Sequence, residues 1–252
     1  MPLLEARGLT KSYGHGALVV DNVSFSISRG ETLGLVGESG SGKSTIARMV
    51  LGLVEPTSGS VLFDGQSITG ATQRSLRPLR RRMQVVFQDP FAALNPRMRV
   101  RDIIAEPLVI HHACPRSELR PRTAELLRAV GLDDSALTRY PHEFSGGQRQ
   151  RINIARALAL RPELVVLDEP VSALDVSVGA QIVNLLRNLQ RDFSLTYLFI
   201  SHSMPLVRYL STHIAVLYRG RLVEYGLSEE ISYAPREAYT QSLLAATPEI
   251  RA

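Results

Sequence analysis

The hydrophobic pattern of the chain alternates between short apolar runs and longer amphipathic stretches. Four runs are too short for helices, which predicts buried strands at Thr32–Val36, Met83–Phe87, Leu164–Leu167 and Tyr197–Ile200. Helices are predicted at about 43–53 and 178–190. This alternation predicts an α/β fold whose core sheet is mostly parallel and is covered by helices on both faces.

Two parts of the chain depart from this alternation. The segments Leu3–Leu9 and Asn22–Ile27 alternate with a period of two, which predicts an N-terminal antiparallel β subdomain. From Val100 to about Ala159 the apolar positions recur at helical spacing. This spacing predicts an α-helical subdomain, at about 89–159, inserted between strands of the core.

Composition places the chain among ordinary globular proteins, with 44% hydrophobic and 21% charged residues in a total of 252. No window approaches the roughly 18 apolar residues of a transmembrane helix. The first residues lack the basic and apolar regions of a secretory signal. A single cysteine, Cys114, agrees with a reducing compartment. We therefore expect a protein of the cytoplasm.

The net charge of +5 comes from arginine, with a dense cluster at Arg74, Arg77, Arg80, Arg81 and Arg82. A basic surface can bind the phosphates of nucleic acid or of anionic lipid. No nucleic-acid-binding module accompanies the charge, so we interpret the cluster as a solvated helix face and expect no nucleic-acid partner.

The segment Gly37–Ser44 matches the phosphate-loop pattern G-x-x-x-x-G-K-[ST] and lies between a predicted strand and a predicted helix. Glycines let the backbone curl so that successive N–H groups point inward, and the following helix adds its positive end. Lys43 can then reach the β- and γ-phosphates, and the Ser44 hydroxyl can hold Mg²⁺. The pattern predicts a nucleotide phosphate site.

A second candidate anion site follows about a hundred residues later, where a serine and two glycines begin a predicted helix. Here Phe144–Arg149 and the next nine residues resemble the signature loop and helix of the ATP-binding-cassette (ABC) ATPases. The resemblance implies a P-loop NTPase fold in one domain, 1–252. Its nucleotide-binding core would comprise about 1–88 and 160–235, followed by a short tail, 236–252.

Two acidic residues follow the strand at Leu164–Leu167 and resemble the end of the Walker B motif. The resemblance implies that Asp168 holds Mg²⁺ and that Glu169 polarises the attacking water. Ser172–Asp175 resembles the D-loop, which lies at the seam of the family's head-to-tail dimer. In that dimer, the ATP bound by one subunit is closed by the signature loop of the other.

Three single residues complete the family's site. Gln88 resembles the Q-loop glutamine, which contacts Mg²⁺ and couples to the membrane partner. His202 resembles the switch histidine, which contacts the γ-phosphate, although Ser203 stands where many relatives carry Asp. Tyr13 is the candidate for stacking on adenine.

The resemblance thus implies three groups of site residues. The catalytic residues would be Glu169, His202 and Gln88, and the Mg²⁺ ligands Ser44, Gln88 and Asp168. ATP would be bound by Tyr13, Gly37, Ser39, Gly40, Ser41, Gly42, Lys43, Ser44, Thr45, Ser145, Gly146, Gly147, Gln148 and Asp175.

Within the ABC family, Val86–Pro90 with Leu94–Pro96 is similar to the dipeptide, oligopeptide and nickel importers. The segments Tyr233–Pro235 and Tyr239–Leu244 are also similar to theirs, although Glu237 and Ala238 replace the usual His-Pro pair. The chain lacks the cysteine-bearing extension of the longer peptide-importer ATPases, which tilts the expectation slightly toward nickel or metal-chelate import.

This branch implies a chain that is peripheral on the cytoplasmic face of the inner membrane. Its expected partners are a second ATPase (a paralogue or another copy), two membrane permeases and, indirectly, an extracytoplasmic substrate-binding protein. Two alternatives stay open at this point: a non-transport ABC ATPase that acts on nucleic acid, and the ATPase of an ABC exporter.

Overall fold

The computed structural model describes residues 1–14 and 16–246. The last six residues of the predicted tail, 247–252, lie outside the described residues. Strands form at β1 Leu4–Ser12, β2 Leu18–Ile27, β3 Thr32–Val36, β4 Ser58–Phe63, β5 Gln66–Ser67, β6 Met83–Val86, β7 Leu164–Asp168, β8 Thr196–Ile200, β9 His213–Tyr218 and β10 Arg221–Leu227.

Helices occupy most of the chain between the strands. They are α1 Lys43–Val50, α2 Gln73–Arg82, α3 Pro90–Ala93, α4 Val100–Ile110, α5 Arg116–Ala129, α6 Gly146–Leu158, α7 Val176–Phe193, α8 Met204–Leu210, α9 Ser228–Tyr233 and α10 Ala238–Ala245. Short 3₁₀ turns lie at Asp134–Thr138 and Pro141–Glu143. Within the described residues, no helix has both the length and the apolar character that crossing a membrane requires.

The chain divides into two compact units. The first unit consists of residues 1–80 and of the chain from Leu195 onward, and the second of Arg81–Ser194.

The first unit contains two sets of paired strands. One is antiparallel, in the order β2-β1-β4-β5. In the other, β3 pairs in parallel with both β8 and β9, and β10 is antiparallel to β9. All five residues of β3 and of β8 are buried. The predicted N-terminal antiparallel sheet and buried parallel strands are therefore both present.

The second unit pairs β6 with β7 in parallel, from Met83 opposite Leu164 to Val86 opposite Leu167. Helices α4, α5 and α6 pack against one another in the same unit. Their buried positions include Ile104, Leu127 and Ile152, which are 0% exposed. Helical spacing in the sequence therefore corresponds to an apolar helix cluster.

Local capping explains where the observed helices differ from the predicted ones. Helix α1 ends at Val50 because Gly52 adopts a left-handed φ of 62° and its N–H turns back to Met49 O at 3.0 Å. Helix α7 begins at Val176, two residues before the predicted start. The Asp175 carboxylate caps it by accepting from the Val178 N–H at 2.9 Å.

All five arginines of the cluster lie on α2. The helix buries Leu76 and Leu79, whereas Arg74, Arg77 and Arg81 are exposed. Strands β9 and β10 and helices α8 and α9 were not predicted.

Candidate active site

The loop between β3 and α1 holds its shape through glycines in conformations that other residues rarely adopt. Gly37, Gly40 and Gly42 have φ values of 151°, 80° and 105°. A Cβ at Gly37 would lie 2.1 Å from Leu217 O, and one at Gly42 would lie 2.6 Å from Val19 O. Both positions therefore require glycine for steric as well as conformational reasons.

Lys43 points its charged end back into this loop. Its side chain is buried, and Nζ donates to Gly37 O at 2.8 Å and to Glu38 O at 2.7 Å. Ser41 Oγ lies 3.5 Å from the same nitrogen. A loop with a buried ammonium at its centre and a helix beginning behind it fits the oxygens of a bound phosphate.

The other loop positions differ in exposure. Ser39 and Gly40 are exposed, Ser41 and Gly42 are buried, and Ser44 and Thr45 are half-buried in the first turn of α1. A hydroxyl at Ser44 has the oxygen chemistry that Mg²⁺ prefers.

His202 emerges at the same sheet edge as the phosphate loop. Strands β3 and β8 are parallel, with Leu35 opposite Ile200. The carboxyl ends of both strands therefore lie at the same edge of the sheet. The Ser201 N–H donates to Leu35 O at 3.3 Å, which carries the parallel pairing one residue further. The His202 side chain, which follows directly, is exposed.

Tyr13 lies beyond the end of β1 and is 51% exposed, so its ring is a surface feature and not part of the core. Lys11 Nζ lies 5.1 Å from the ring centroid. An exposed aromatic ring offers a face to an adenine base.

In the second unit, the structure joins Gln88 to Glu169. Each follows one of the paired strands β6 and β7, and Gln88 Nε2 donates to Glu169 Oε2 at 3.2 Å. Asp168 ends β7 and is half-buried. An amide donor thus orients a carboxylate directly beside a second carboxylate residue.

Glu169 itself has an unusual backbone. Its φ is 48°, in the left-handed region that residues with a Cβ seldom occupy. Its carbonyl accepts from the Ser172 N–H at 3.3 Å and from the Ser172 hydroxyl at 3.1 Å, and these bonds hold the turn. Strained residues of this kind cluster at functional sites.

The signature residues begin α6 with a reciprocal cap. Ser145 Oγ accepts from the Gln148 N–H at 3.4 Å, and Gln148 Oε1 accepts from the Ser145 N–H at 3.1 Å. The N–H groups of Gly146 and Gly147 lie in the first turn, where a helix supplies no internal acceptor. The cap therefore presents backbone donors at a helix N-terminus.

Both signature glycines pack closely against residues in or just after the D-loop. A Cβ at Gly146 would lie 3.1 Å from Leu174 Cδ2, and one at Gly147 would lie 2.4 Å from Val178 Cγ1. Asp175, the N-cap of α7, lies between these two contacts in the sequence. The structure thus brings the predicted signature and D-loop residues together.

A buried polar chain along α6 was not predicted. Gln150 Nε2 donates to Pro170 O at 2.7 Å, and Asn153 Nδ2 to Gln150 Oε1 at 3.5 Å. Arg156 donates to Asn153 Oδ1 at 2.9 Å and to Ala93 O at 2.7 Å. Burial lowers the pKa of Arg156, an effect that the charge of Glu106 opposes. Polar residues three apart, at 150, 153 and 156, were the signal in the sequence.

The chain is similar to known proteins over most of its length. Residues 20–172 match the ABC transporter family. The oligopeptide transport ATP-binding protein OppF of Bacillus subtilis strain 168 is 55% identical over 231 residues, which cover 91% of this chain and 76% of that protein.

Two solved structures have the same fold. The structure of CbiO1 from Clostridium perfringens, described as part of the ABC transporter complex CbiONQ, matches with a TM-score of 0.83 and 28% identity. The match covers 91% of this chain and 90% of that one. The dimeric ATP-binding cassette MJ0796, in a post-hydrolysis state bound to ADP and Pi, matches with a TM-score of 0.80 and 30% identity. That match covers 89% of this chain and 98% of that one.

The chain belongs to the ABC transporter family. It is an ATP-binding cassette whose enzymatic activity is ATP hydrolysis coupled to transport. The predicted fold class and ATPase activity are confirmed.

Proposed function

We propose that this chain is the ATP-hydrolysing subunit of a peptide importer. The observation that carries the proposal is the 55% identity to an oligopeptide transport ATP-binding protein, over 91% of the chain. The same comparison favours import over export and over action on nucleic acid. Nickel or metal-chelate import stays a prediction.

The loop at Gly37–Thr45 would bind the phosphates of ATP through its inward N–H groups and through Lys43. Contacts to phosphate would replace the carbonyl contacts that Lys43 makes at 2.7 and 2.8 Å. Charge-assisted bonds to phosphate are stronger than bonds to neutral carbonyls, so the exchange favours nucleotide binding. Tyr13, with its exposed ring, would stack on the base.

Ser44, Gln88 and Asp168 would hold Mg²⁺, since a hydroxyl, an amide and a carboxylate supply the oxygen ligands that this ion prefers. The bound ion would neutralise charge on the β- and γ-phosphates. The motifs of the family imply this cofactor.

Glu169 would accept hydrogen-bond donation from the attacking water and withdraw its proton. The Gln88 amide donates to one carboxylate oxygen at 3.2 Å and would hold the carboxylate in the orientation that this step needs. His202 would contact the γ-phosphate as it separates from ADP.

The signature cap at Ser145–Gln148, together with Asp175, would close the ATP that is bound by a second subunit. Its first-turn N–H donors suit the γ-phosphate, and the MJ0796 cassette is described as a dimer. The second subunit would be another copy or a paralogue, in a head-to-tail pair. Two permeases and, through them, an extracytoplasmic substrate-binding protein complete the proposed importer, with this chain on the cytoplasmic face of the inner membrane.

Affinity purification of the tagged chain from detergent-solubilised native membranes, followed by mass spectrometry, tests the assembly. We expect two permeases and either one or two ATPase sequences. Uptake of labelled di- and oligopeptides and of ⁶³Ni²⁺ is then compared between cells that carry the wild-type gene and cells that carry Glu169→Gln. Peptide uptake lost only in the variant supports the proposal. Recovery of ribosomes or nucleic acid without a membrane protein, or loss of nickel uptake alone, would contradict it.

A further inference from the structure

The C-terminal helix α10 contributes a residue to the phosphate loop. The Tyr239 hydroxyl oxygen accepts a hydrogen bond from the Glu38 N–H at 3.2 Å, although 201 positions separate the two residues. Both belong to the first compact unit. The segment Tyr239–Leu244 resembles importer ATPases in sequence, yet no role in the nucleotide site follows from that resemblance.

The peptide group that contacts Tyr239 also accepts a hydrogen bond from Lys43. The peptide between Gly37 and Glu38 donates its N–H to Tyr239 and accepts Lys43 Nζ at its carbonyl, at 2.8 Å. Hydrogen bonds at the two ends of one peptide polarise each other and fix the peptide plane. This single peptide group therefore links the Tyr239 hydroxyl to the Lys43 ammonium group through two hydrogen bonds.

Several contacts hold Tyr239 in this place. Its ring packs on Tyr218, with the ring centroids 4.2 Å apart. Before α10, the N–H groups of Arg236 and Glu237 donate to the two carboxylate oxygens of Glu224, at 2.7 and 3.4 Å. The next residue, Thr240, is 0% exposed. The helix is thus anchored on β10 and buried at one position, so the tyrosine hydroxyl faces the loop from a fixed support.

We propose that Tyr239 is a positioning residue for the phosphate loop, which sets the ATP affinity of the chain by holding the Gly37–Glu38 peptide in place. The inference rests on the proposed binding of ATP at Lys43. With the hydroxyl present, the loop is ordered before nucleotide arrives, so binding does not have to order it. Without the hydroxyl, the N–H of this peptide loses its contact with Tyr239, so the peptide plane is held less firmly.

Substitution Tyr239→Phe removes the hydroxyl and keeps the ring on Tyr218. We expect the Kd for ATP of the purified full-length chain to rise about three- to tenfold, since one neutral hydrogen bond is lost. The Kd is measured by isothermal titration calorimetry with Mg²⁺. In the assembled transporter, the KM for ATP rises by the same factor while kcat changes by less than about twofold. Hydrogen exchange at the Glu38 amide becomes faster.

Tyr233→Phe is the matched control. Tyr233 is 69% exposed and its ring lies under Arg208 with the guanidinium carbon 4.2 Å from the ring centroid. Its substitution should leave the Kd for ATP unchanged. A lower Tm for Tyr239→Phe with an unchanged Kd would mean that the hydroxyl only stabilises the fold, and this result overturns the inference.

Lys43→Ala in the same titrations separates the two proposals. If Lys43→Ala weakens ATP binding and Tyr239→Phe does not, the inference about Tyr239 fails and the proposed ATP site stands. If Lys43→Ala leaves the affinity unchanged, the proposed site fails and the inference fails with it.

Discussion

The side-chain amide of Gln88 donates to the carboxylate of Glu169 at 3.2 Å, across 81 positions of sequence. The parallel pairing of β6 with β7 produces this contact, because Val86 and Leu167 lie opposite each other and the chain leaves both strands at the same edge. In the proposed mechanism the two residues would act on the attacking water as a pair, so the role of each can be tested through the other.

Glu169→Gln should lower ATP turnover by about 100- to 10,000-fold, because an amide cannot accept the proton of the attacking water. ATP affinity should be retained, since the phosphate loop is untouched. Steady-state hydrolysis and equilibrium binding of ATP are measured on the same preparation. The exposed Glu125 of α5 supplies the control Glu125→Gln, which should hydrolyse ATP at the wild-type rate. Near-wild-type turnover in Glu169→Gln would remove Glu169 from the proposed role.

Gln88→Ala should lower turnover about tenfold, because the Glu169 carboxylate loses one hydrogen bond that orients it. In the Glu169→Gln background, the same substitution should change the residual rate by less than about twofold, since residues that act as a unit are not additive. The full set of four rates is measured as a double-mutant cycle. Independent, multiplying effects would show that Gln88 acts elsewhere.

Lys43→Ala should weaken ATP binding by about 10- to 100-fold, because the phosphates lose a charged partner that lies inside the loop. The substitution also leaves the carbonyls of Gly37 and Glu38 without the contacts seen at 2.8 and 2.7 Å. Circular dichroism checks that the fold is kept, and titration with ATP gives the affinity. An unchanged Kd in a folded variant would contradict the assignment of the phosphate loop.

Gln150→Leu should lower the free energy of unfolding by about 1–3 kcal/mol, since Pro170 O and Asn153 lose buried partners. Urea denaturation gives the difference. Gln181→Leu makes the same chemical change at an exposed position on α7 of the same unit and should alter stability by less than about 0.5 kcal/mol. Equal effects in the two variants would mean that the buried polar chain does not stabilise the unit.

Low pH should reduce the contribution of the Glu143 carboxylate to the stability of the folded state. A hydrogen bond from the Tyr140 N–H, at 2.6 Å, and the nearby charge of Arg139 lower the pKa of this carboxyl below its ordinary value of 4.5. A lowered pKa stabilises the folded state above pH 4.5, and the contribution disappears as the pH falls below that value. Urea denaturation should find Glu143→Gln less stable than the wild type at pH 7, with a smaller difference at pH 3. A difference of the same size at both pH values would assign the effect to something other than the charge.

The sequence predicted elements whose signal is local. The apolar run Thr32–Val36 and the glycine loop before Lys43 are decided by residues close to one another, and both appear as predicted. The proximity of Gln88 to Glu169 could also be predicted from the sequence, because parallel strands place their carboxyl ends at one edge of the sheet. Helix ends were less accurate, since the end of α1 depends on the left-handed turn at Gly52.

Other features depend on contacts that no local pattern encodes. The hydrogen bond between Tyr239 and Glu38 joins residues 201 positions apart, and the spacing of apolar residues does not predict it. Similarly, the positive φ of Glu169 accompanies the turn that Ser172 holds. Two acids after an apolar strand could equally be surface charge at the end of the strand. The roles of the individual site residues therefore stay predictions that the substitutions above will test.

The close approach of Gly147 to Val178 has a consequence for how this protein can change over time. A methyl group at position 147 would lie 2.4 Å from Val178 Cγ1, so a side chain at 147 needs space that Val178 now fills. A gain of volume at 147 therefore requires the side chain at 178 to shift or to become smaller. Among descendants of this sequence, we expect substitutions at the two positions to be correlated.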